Sequence, residues 1–517
     1  MKRGFDLSGS ALGRAALAAA LGALGPLAAC GGSAPPPQPP PSAVARASAP
    51  AAPPEPPAPP DPLGPRPTTP MPPAFLPPSP AVFQATNGIT VWLLERHQLP
   101  IVSCDMTVPV GASSDPKDKA GLAYLTANML DEGAGSRGAI ELARAIDALG
   151  ARVQTDANAD ASFVSVTVAR RNFDRAFALF GDVVARPRFE PAEFKRVTEL
   201  WTNALREREK DPDATARVVY RAVLFGSDHP YGHPWDGTPR SAKAVTLEDV
   251  KAFYGAAWRP DHATLVCAGD VTQKDLTGAL ASAFESWKPP ARPAPAPVAP
   301  PAPGGPWPRL VLVDRADAPQ AVIAALRPGI AASSPEEPAL WRTNDAIGGS
   351  FSSRLNQDLR ERRGYTYGAR SRYSISRGPG QVVSWANVVT EKTGDALGAM
   401  LADLRQFAQE GLTEDELGRT RSQARGELVG VYETVQGIAG HLAADAALGL
   451  PPDHQARSAE ARDRADKATL DRLARQYYDP EGAILVVVGP RAAVQPMIEK
   501  LGLPPPEIRD AVGNVVK

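Results

Sequence analysis

Between Gly121 and Gly133 the sequence runs GLAYLTANMLDEG, and its spacing is that of a helix with two distinct faces. Leu122, Leu125, Thr126 and Met129 recur at i, i+3, i+4 and i+7, which predicts a largely apolar side that packs inward. Tyr124, Ala127 and Asn128 fall at i, i+3 and i+4 on the other side. Two imidazoles at the outer two of these positions, with a carboxylate between them, would hold a metal ion and a general base on one helical face. A phenol, a methyl group and a carboxamide stand there instead. A phenol with a pKa of about 10 and an uncharged amide are weak donors to zinc, and a methyl group moves no proton.

A second stretch with chemical content is GGSFSSRLNQDLRERRGYTYGARSRY, from Gly348 to Tyr373. Arg360 and Tyr367 stand seven apart in it. A guanidinium can hold a peptide carbonyl or carboxylate through two parallel hydrogen bonds, and a phenol can donate to a developing oxyanion. Gly348 and Gly349 are expected to turn the backbone tightly, and Ser350 to cap the following helix. A third candidate, His229-Pro-Tyr-Gly-His233, has two imidazoles four apart, but Pro230 and Gly232 rule out a regular helix that would bring them to one face. The remaining histidines, His97, His262, His441 and His454, are scattered and read as surface or satisfied core residues.

The two stretches together carry a resemblance. GLA-YLTAN-ML is similar to the GLA-HxxEH-ML signature of the insulinase/pitrilysin family of zinc metallopeptidases, with Tyr124 and Asn128 at the two His positions and Ala127 at the general-base position. The segment Gly348–Tyr373 resembles the family's GG-x-x-SSRL-x-x-x-LRE-x-x-G-x-x-Y stretch, which puts Arg360 and Tyr367 on the family's substrate-positioning Arg/Tyr pair. The family's third zinc ligand is a Glu on a later helix that runs into an acidic-Pro turn. Aligned on Asp211-Pro212 it falls at Asn203, with Glu199, Glu207 and Glu209 nearby. The His-Pro-Tyr-Gly loop has a structural counterpart in the family. Over about Val82 to Leu503 the resemblance implies an α+β fold of two homologous sheet-plus-helices domains facing each other across a chamber.

The elements that must position these residues repeat within the chain. LLERHQLP at Leu93–Pro100 matches LVDRADAP at Leu312–Pro319, and the same offset of 219 pairs Ser114 with Ser333 and Pro116 with Pro335. RPDHATLVCAGD at Arg259–Asp270 matches DPEGAILVVVGP at Asp479–Pro490 at an offset of 220, which indicates internal duplication. Each half is predicted to open with a strand pair, such as Ile89–Arg96 with Pro100–Val108. Helices follow over Lys119–Asp131 and Ser136–Leu149, then a β run over Ala161–Ala169 and helices over Phe173–Val184 and Pro191–Lys210. Without strict βαβ alternation this is α+β, with helices stacked on one sheet per half. Residues 81–287 and 309–505 form the two domains, 288–308 a Pro-rich interdomain linker and 506–517 a tail.

Lys2 and Arg3, the Ala/Leu/Gly stretch Ala15–Ala29 and the ending Leu27-Ala28-Ala29-Cys30 make residues 1–30 a secretory signal, too short for a membrane span. It resembles a bacterial lipoprotein signal, which implies acylation of Cys30. Gly31, in place of an Asp, points to the outer membrane. Residues 31–80 hold 22 prolines and cannot pack a core; as a polyproline-like spacer they reach roughly 150 Å. Cys104 and Cys267 lie in apolar β-like runs and read as small buried hydrophobes; a disulfide between them would need an oxidising compartment and a geometry that sequence does not supply. At 517 residues, 43% hydrophobic and a net charge of -1, the chain has room for two substantial cores and is not a nucleic-acid binder.

Loss of the zinc set beside a retained Arg/Tyr segment is the pattern of non-catalytic subunits in two-chain members of the resembled family. The expectation is a lipid-anchored subunit on the periplasmic side of the outer membrane, inactive alone and binding no cofactor itself. It pairs with a zinc-bearing homologue to bind and degrade peptides or unfolded protein. The alternatives are an active zinc metalloendopeptidase with another ligand set, and a periplasmic scaffold or peptide-binding protein with no part in proteolysis.

Overall fold

The apolar run TLVCAG at Thr264–Gly269 is buried along almost its whole length, and the first of two six-stranded sheets is built outward from it. The computed structural model describes residues 70–291 and 296–516. The expected signal segment, Cys30 and most of the expected Pro-rich spacer therefore lie outside the described residues, and all that follows concerns the compact unit Pro72–Lys517. The strands of the first half are β1 (Ala81–Gln84), β2 (Thr90–Glu95), β3 (Ile101–Val108), the two-residue pair β4 (Gly133–Ala134) and β5 (Arg137–Gly138), β6 (Arg152–Ala157), β7 (Ser162–Ala169) and β8 (Thr264–Gly269). Their order in the sheet is β1-β2-β8-β3-β7-β6. The sequence predicts that Ile89–Arg96 pairs with Pro100–Val108, and here the fold differs. β8 lies between β2 and β3, parallel to β2 and antiparallel to β3. A continuously apolar strand is stable where both faces and both edges are covered, and the centre of the sheet supplies that.

The second half repeats the plan with β9 (Leu310–Asp314), β10 (Gln320–Pro328), β11 (Thr366–Tyr373), β12 (Gln381–Val389), β13 (Ile484–Gly489) and β14 (Glu507–Arg509), in the order β11-β12-β10-β13-β9-β14. Ile101 opens β3 and Gln320 opens β10, Ser162 opens β7 and Gln381 opens β12, so the offset of 219 in sequence is an offset in structure. The sixth strands break the symmetry. In the first sheet it precedes the repeat as β1, antiparallel to β2; in the second it comes from the C-terminal segment as β14, parallel to β9.

One face of each sheet is covered by helices of its own half. Phe173–Ala185 brings Phe173, Phe177 and Phe180 into the first core, with ring centroids 5.2 and 5.4 Å apart, and Phe284 closes the cluster. Thr393–Glu410 and Lys467–Tyr478 do the same in the second. The opposite faces are covered by exchange. Helix Pro212–Phe225, from the first half, lays Val219, Val223 and Leu224 on β10 and β13 of the second sheet. Helix Val435–Leu448, from the second half, lays Ile438, Leu442 and Ala443 on β3 and β8 of the first. Each large aliphatic so buried is worth about 1.5 to 3 kcal/mol. The Asp211-Pro212 turn starts the first of these helices, with Pro212 at its first position and Asp211 Oδ1 accepting from the backbone N–H of Asp213 at 2.9 Å.

Arg377 bolts the halves together. Its Nη2 donates to the carbonyls of Pro109 (3.2 Å), Asp160 (3.0 Å) and Ala447 (2.7 Å), and its backbone N–H to Asp160 Oδ2 at 2.9 Å. Asp160 Oδ1 accepts from the Tyr231 hydroxyl at 2.6 Å, and that oxygen accepts in turn from Gly378 N–H at 3.0 Å. The cysteines meet as well. Cys104 and Cys267 are directly opposite in the β3/β8 register, with Cα atoms 4.1 Å apart, and form a disulfide. They are buried, as expected of small hydrophobes, but they are paired rather than free.

Candidate functional site

The helix that carries Tyr124, Ala127 and Asn128 runs from Leu122 to Met129, shorter at both ends than the predicted Lys119–Asp131. No residue beside its first turn caps it; Asp115 does so from a distance, accepting from the backbone N–H groups of Gly121 (2.7 Å), Leu122 (3.1 Å) and Ala123 (3.0 Å). Gly121 has a φ of +89°, and a Cβ there would come within 2.6 Å of Trp201 and 2.8 Å of the Gly237 Cα, so only glycine fits.

The working face of this helix is closed. Tyr124 is 8% exposed and Ala127 wholly buried. The Tyr124 ring stands edge-on to Trp235, with centroids 5.4 Å apart, and burial pushes its phenol above the ordinary tyrosine value, so it stays protonated. Ala127 sits in a cluster of small residues with Ala112, Ala123 and Ala157, and Trp235 and Phe253 pack against it. Asn128 turns its amide back to the Tyr124 carbonyl of its own helix at 2.8 Å. Asn203, placed in the site by the expected register, is instead exposed on helix Pro191–Arg208, its amide oxygen within 3.4 Å of Arg206. The inward face of that helix is Val197, Trp201, Leu205 and Arg208, four residues at helical spacing that include no carboxylate.

The ring that fills the site is held from behind. Trp201 Nε1 donates to the Asp236 carbonyl at 2.8 Å, and Arg208 pairs with the Asp236 carboxylate and donates to the Gly237 carbonyl at 2.8 Å. This fixes the Pro234–Gly237 loop and with it Trp235. Sequence reasoning passed over Trp235; a lone aromatic between Pro234 and Asp236 in a polar loop is the signal that was there. The residues around Tyr124 do not fit zinc, and among the described residues no group of three His, Cys, Asp or Glu side chains could hold a metal ion. His229 is committed through both nitrogens: Nδ1 accepts from Tyr231 N–H at 3.0 Å and Nε2 donates to the Pro301 carbonyl at 3.0 Å. His262 departs from expectation, since both its ring nitrogens are buried with no hydrogen-bond partner among the described residues.

The second stretch is organised differently. Gly349 ends one wide helical turn, Asp345–Gly349, and a second spans Asn356–Arg362; such turns recur at functional sites. Gly348 is needed less for a turn than for close approach, because a Cβ there would lie 2.4 Å from Ser371 N on β11. Ser350 caps no helix as predicted. It closes the first wide turn, and its hydroxyl accepts from Arg419 Nη1 at 2.8 Å. Arg354 clamps Glu416 through two hydrogen bonds of 2.6 and 2.7 Å, and Asp358 takes up Arg362 and Arg363. Arg360 has no such anchor: it lies over the Phe351 ring at 4.5 Å, with Glu361 3.3 Å away. Phe351 is 65% exposed and Tyr367 87% exposed. The segment thus presents a stacked guanidinium and two aromatic rings to solvent on a pinned frame, whereas the Tyr124 face is sealed. No hydrogen bond, ion pair or ring contact among the described residues joins the two sets.

A duplicated pair of sheets with exchanged helices and an open Arg/Tyr segment defines a peptidase-like fold in which the residues around Tyr124 do not fit zinc. Residues 90–223 match the family model described as insulinase (peptidase family M16), and residues 244–424 match that of the peptidase M16 inactive domain. These matches together span more than half of the chain, and the chain belongs to the insulinase family. An uncharacterised zinc protease of Mycobacterium tuberculosis is 28% identical over 333 residues, 63% of this chain and 74% of that protein. Among solved structures, a peptidase M16 inactive domain from Pseudomonas fluorescens superposes with a TM-score of 0.72 at 23% identity, covering 80% of this chain and 98% of that one. A protease from Helicobacter pylori superposes with a TM-score of 0.71 at 17% identity, covering 80% and 99%.

Proposed function

We propose that this chain is a non-catalytic insulinase-family subunit that pairs with a zinc-bearing homologue, lending it a peptide-binding wall for degradation of peptides or unfolded segments. The observation that carries the reading is the contrast between the two halves: Trp235 and Tyr124 fill the place of the metal, while Arg360, Phe351 and Tyr367 stand open. Arg360 grips a peptide carbonyl or carboxylate and Tyr367 donates a hydrogen bond to the substrate held against the partner's zinc. The chain is exported and tethered to the periplasmic side of the outer membrane through acylated Cys30. The Cys104–Cys267 pair supports an oxidising compartment.

The test is steady-state cleavage of an unstructured peptide by this chain, by a zinc-bearing homologue from the same genome, and by the two mixed. Activity is expected from the mixture well above that of either chain alone. Tyr367→Phe is expected to lower turnover by roughly 100- to 1000-fold, the usual cost of one oxyanion-type donor. Arg360→Ala raises KM, and both variants keep the parent melting temperature. Cleavage by this chain alone, or a mixture no more active than the homologue, overturns the reading.

A further inference from the structure

Beyond the Arg/Tyr pair lies the edge strand of the second sheet, at the border of the face that helix Pro212–Phe225 covers. On β11 the residues Tyr367, Arg370 and Arg372 are exposed while Thr366, Ala369, Ser371 and Tyr373 are buried, so the exposed three share one face. The register puts Arg370 opposite Trp385 and Arg372 opposite Val383, on the face that helix Pro212–Phe225 covers further in, over β10 and β13. A bulge between Thr366 and Ala369 keeps Tyr367 on that face beside Asn387.

The charges on this shelf are unbalanced. Several arginines nearby have an anion: Arg354 has Glu416, Arg362 and Arg363 have Asp358, Arg217 has Asp213. Arg370 and Arg372 have neither an ion pair nor a side-chain hydrogen bond among the described residues, and their cross-strand neighbours are apolar. Arg217 and Arg370 lie within electrostatic reach of Arg372 and add like charge, offset in part by the Asp213 carboxylate, which is itself paired with Arg217. Side chains at i and i+2 of one strand with the same sign repel, so the arrangement costs the fold stability and gains it only when an anion arrives. The mode of recognition is constrained too. The outer edge of β11 is occupied, since Asn344 Nδ2 donates to the Ser371 carbonyl at 3.2 Å and Asn356 Oδ1 accepts from Ala369 N–H at 3.3 Å. A ligand therefore cannot add as a further strand and is read by side chains.

We infer that Tyr367, Arg370 and Arg372 form a docking shelf for an acidic peptide segment, which makes glutamate- and aspartate-rich peptides the preferred ligand class. This rests on the reading that the Arg/Tyr segment binds peptide, and the test separates the two. Three labelled peptides of equal length, rich in glutamate, glutamine or lysine, are titrated with the purified protein by fluorescence anisotropy at low and high salt. An exposed ion pair is worth roughly 1.4- to 5-fold in affinity, so two arginines give the glutamate peptide roughly a 2- to 25-fold advantage over the glutamine peptide. That advantage fades as salt rises. In the double variant Arg370→Gln/Arg372→Gln it disappears, while binding of the glutamine peptide stays at the parent value and the melting temperature is no lower than the parent's. Equal binding of the glutamate and glutamine peptides, or a preference for lysine, overturns the shelf and leaves the peptide-binding reading standing. If no peptide binds, both fall. A double variant that binds all three peptides as the parent does but no longer pairs with the homologue reassigns the shelf to the subunit interface and overturns the inference.

Discussion

Ala127→Glu restores the residue that a peptidase of this family would use as its base, and the packing around Ala127 says what it would cost. The position is wholly buried among Ala112, Ala123 and Ala157, under Trp235 and Phe253. Forcing a longer side chain into a filled site costs about 1 to 3 kcal/mol. Burying a carboxyl group without a hydrogen-bond partner adds about 1 to 3 kcal/mol even when it is neutral. The sum, about 2 to 6 kcal/mol, is a large part of the total stability of an ordinary domain. The cost also depends on pH, with a definite sign. The buried carboxyl has its folded-state pKa raised above the unfolded value of about 4.3, so the unfolded chain releases the proton first as pH rises. Stability falls by about 1.4 kcal/mol per pH unit above that value until the folded pKa is reached, then levels off. Urea denaturation at pH 4.5 and pH 7, with slopes compared to guard against a change in the unfolded state, measures both effects. Trp235→Ala should relieve the strain, so the double variant Ala127→Glu/Trp235→Ala is expected to lose less than the sum of the single losses. An Ala127→Glu protein as stable as the parent at both pH values, or additive losses in the double variant, would refute the idea that Trp235 seals the site.

Arg377→Ala removes a guanidinium that reaches three carbonyls, two of them in the other half, and should cost about 2 to 4 kcal/mol in chemical denaturation, with Arg377→Lys recovering only part. Cys104→Ser/Cys267→Ser should lower stability by about 2 to 4 kcal/mol, and the parent should show the same loss in reductant; equal melts with and without reductant would count against the bond. His97 is hydrogen-bonded to Asp270 at 2.7 Å and to Glu95 at 3.2 Å, and these bonds raise its pKa, so its NMR titration midpoint should lie above 6.5 and fall in Asp270→Asn. The stabilisation it brings is complete below the unfolded value and is lost as pH rises through the folded one.

Much of the fold was legible in the sequence because it repeats. The offsets of 219 and 220 are visible in Arg96/Arg315 and Pro260/Pro480, and the strands they mark coincide in the two sheets. What local periodicity could not supply was the partner of each element. β8 is as apolar as a core strand should be, but nothing in TLVCAG says that it separates β2 from β3, some 160 residues earlier. The same gap hid the disulfide, because the register that sets Cys104 opposite Cys267 is a property of the sheet. The loss of zinc ligands at Tyr124 and Asn128 could be read directly. That the site is also filled depends on Trp235, a loop residue whose position is set by Trp201 and Arg208. Asn203 went to the wrong face because a turn fixes a helix's end, and one residue of error rotates a side chain by about 100°.

The exchanged helices bear on how the chain can be made. β8 ends at Gly269, yet the helix that covers its far face begins at Val435. A chain that emerges and folds N-terminus first leaves the first sheet half-clothed for the time the roughly 165 residues in between take to follow. During that time Trp92, Leu94, Val266 and Ala268 face water, a surface on which a nascent chain aggregates or recruits a chaperone. A fragment ending near residue 287 would be held permanently in that condition. It should be insoluble on its own and rescued by a separately supplied peptide spanning Val435–Leu448, so that complementation in trans, rather than independent domain folding, describes the relation of the two halves.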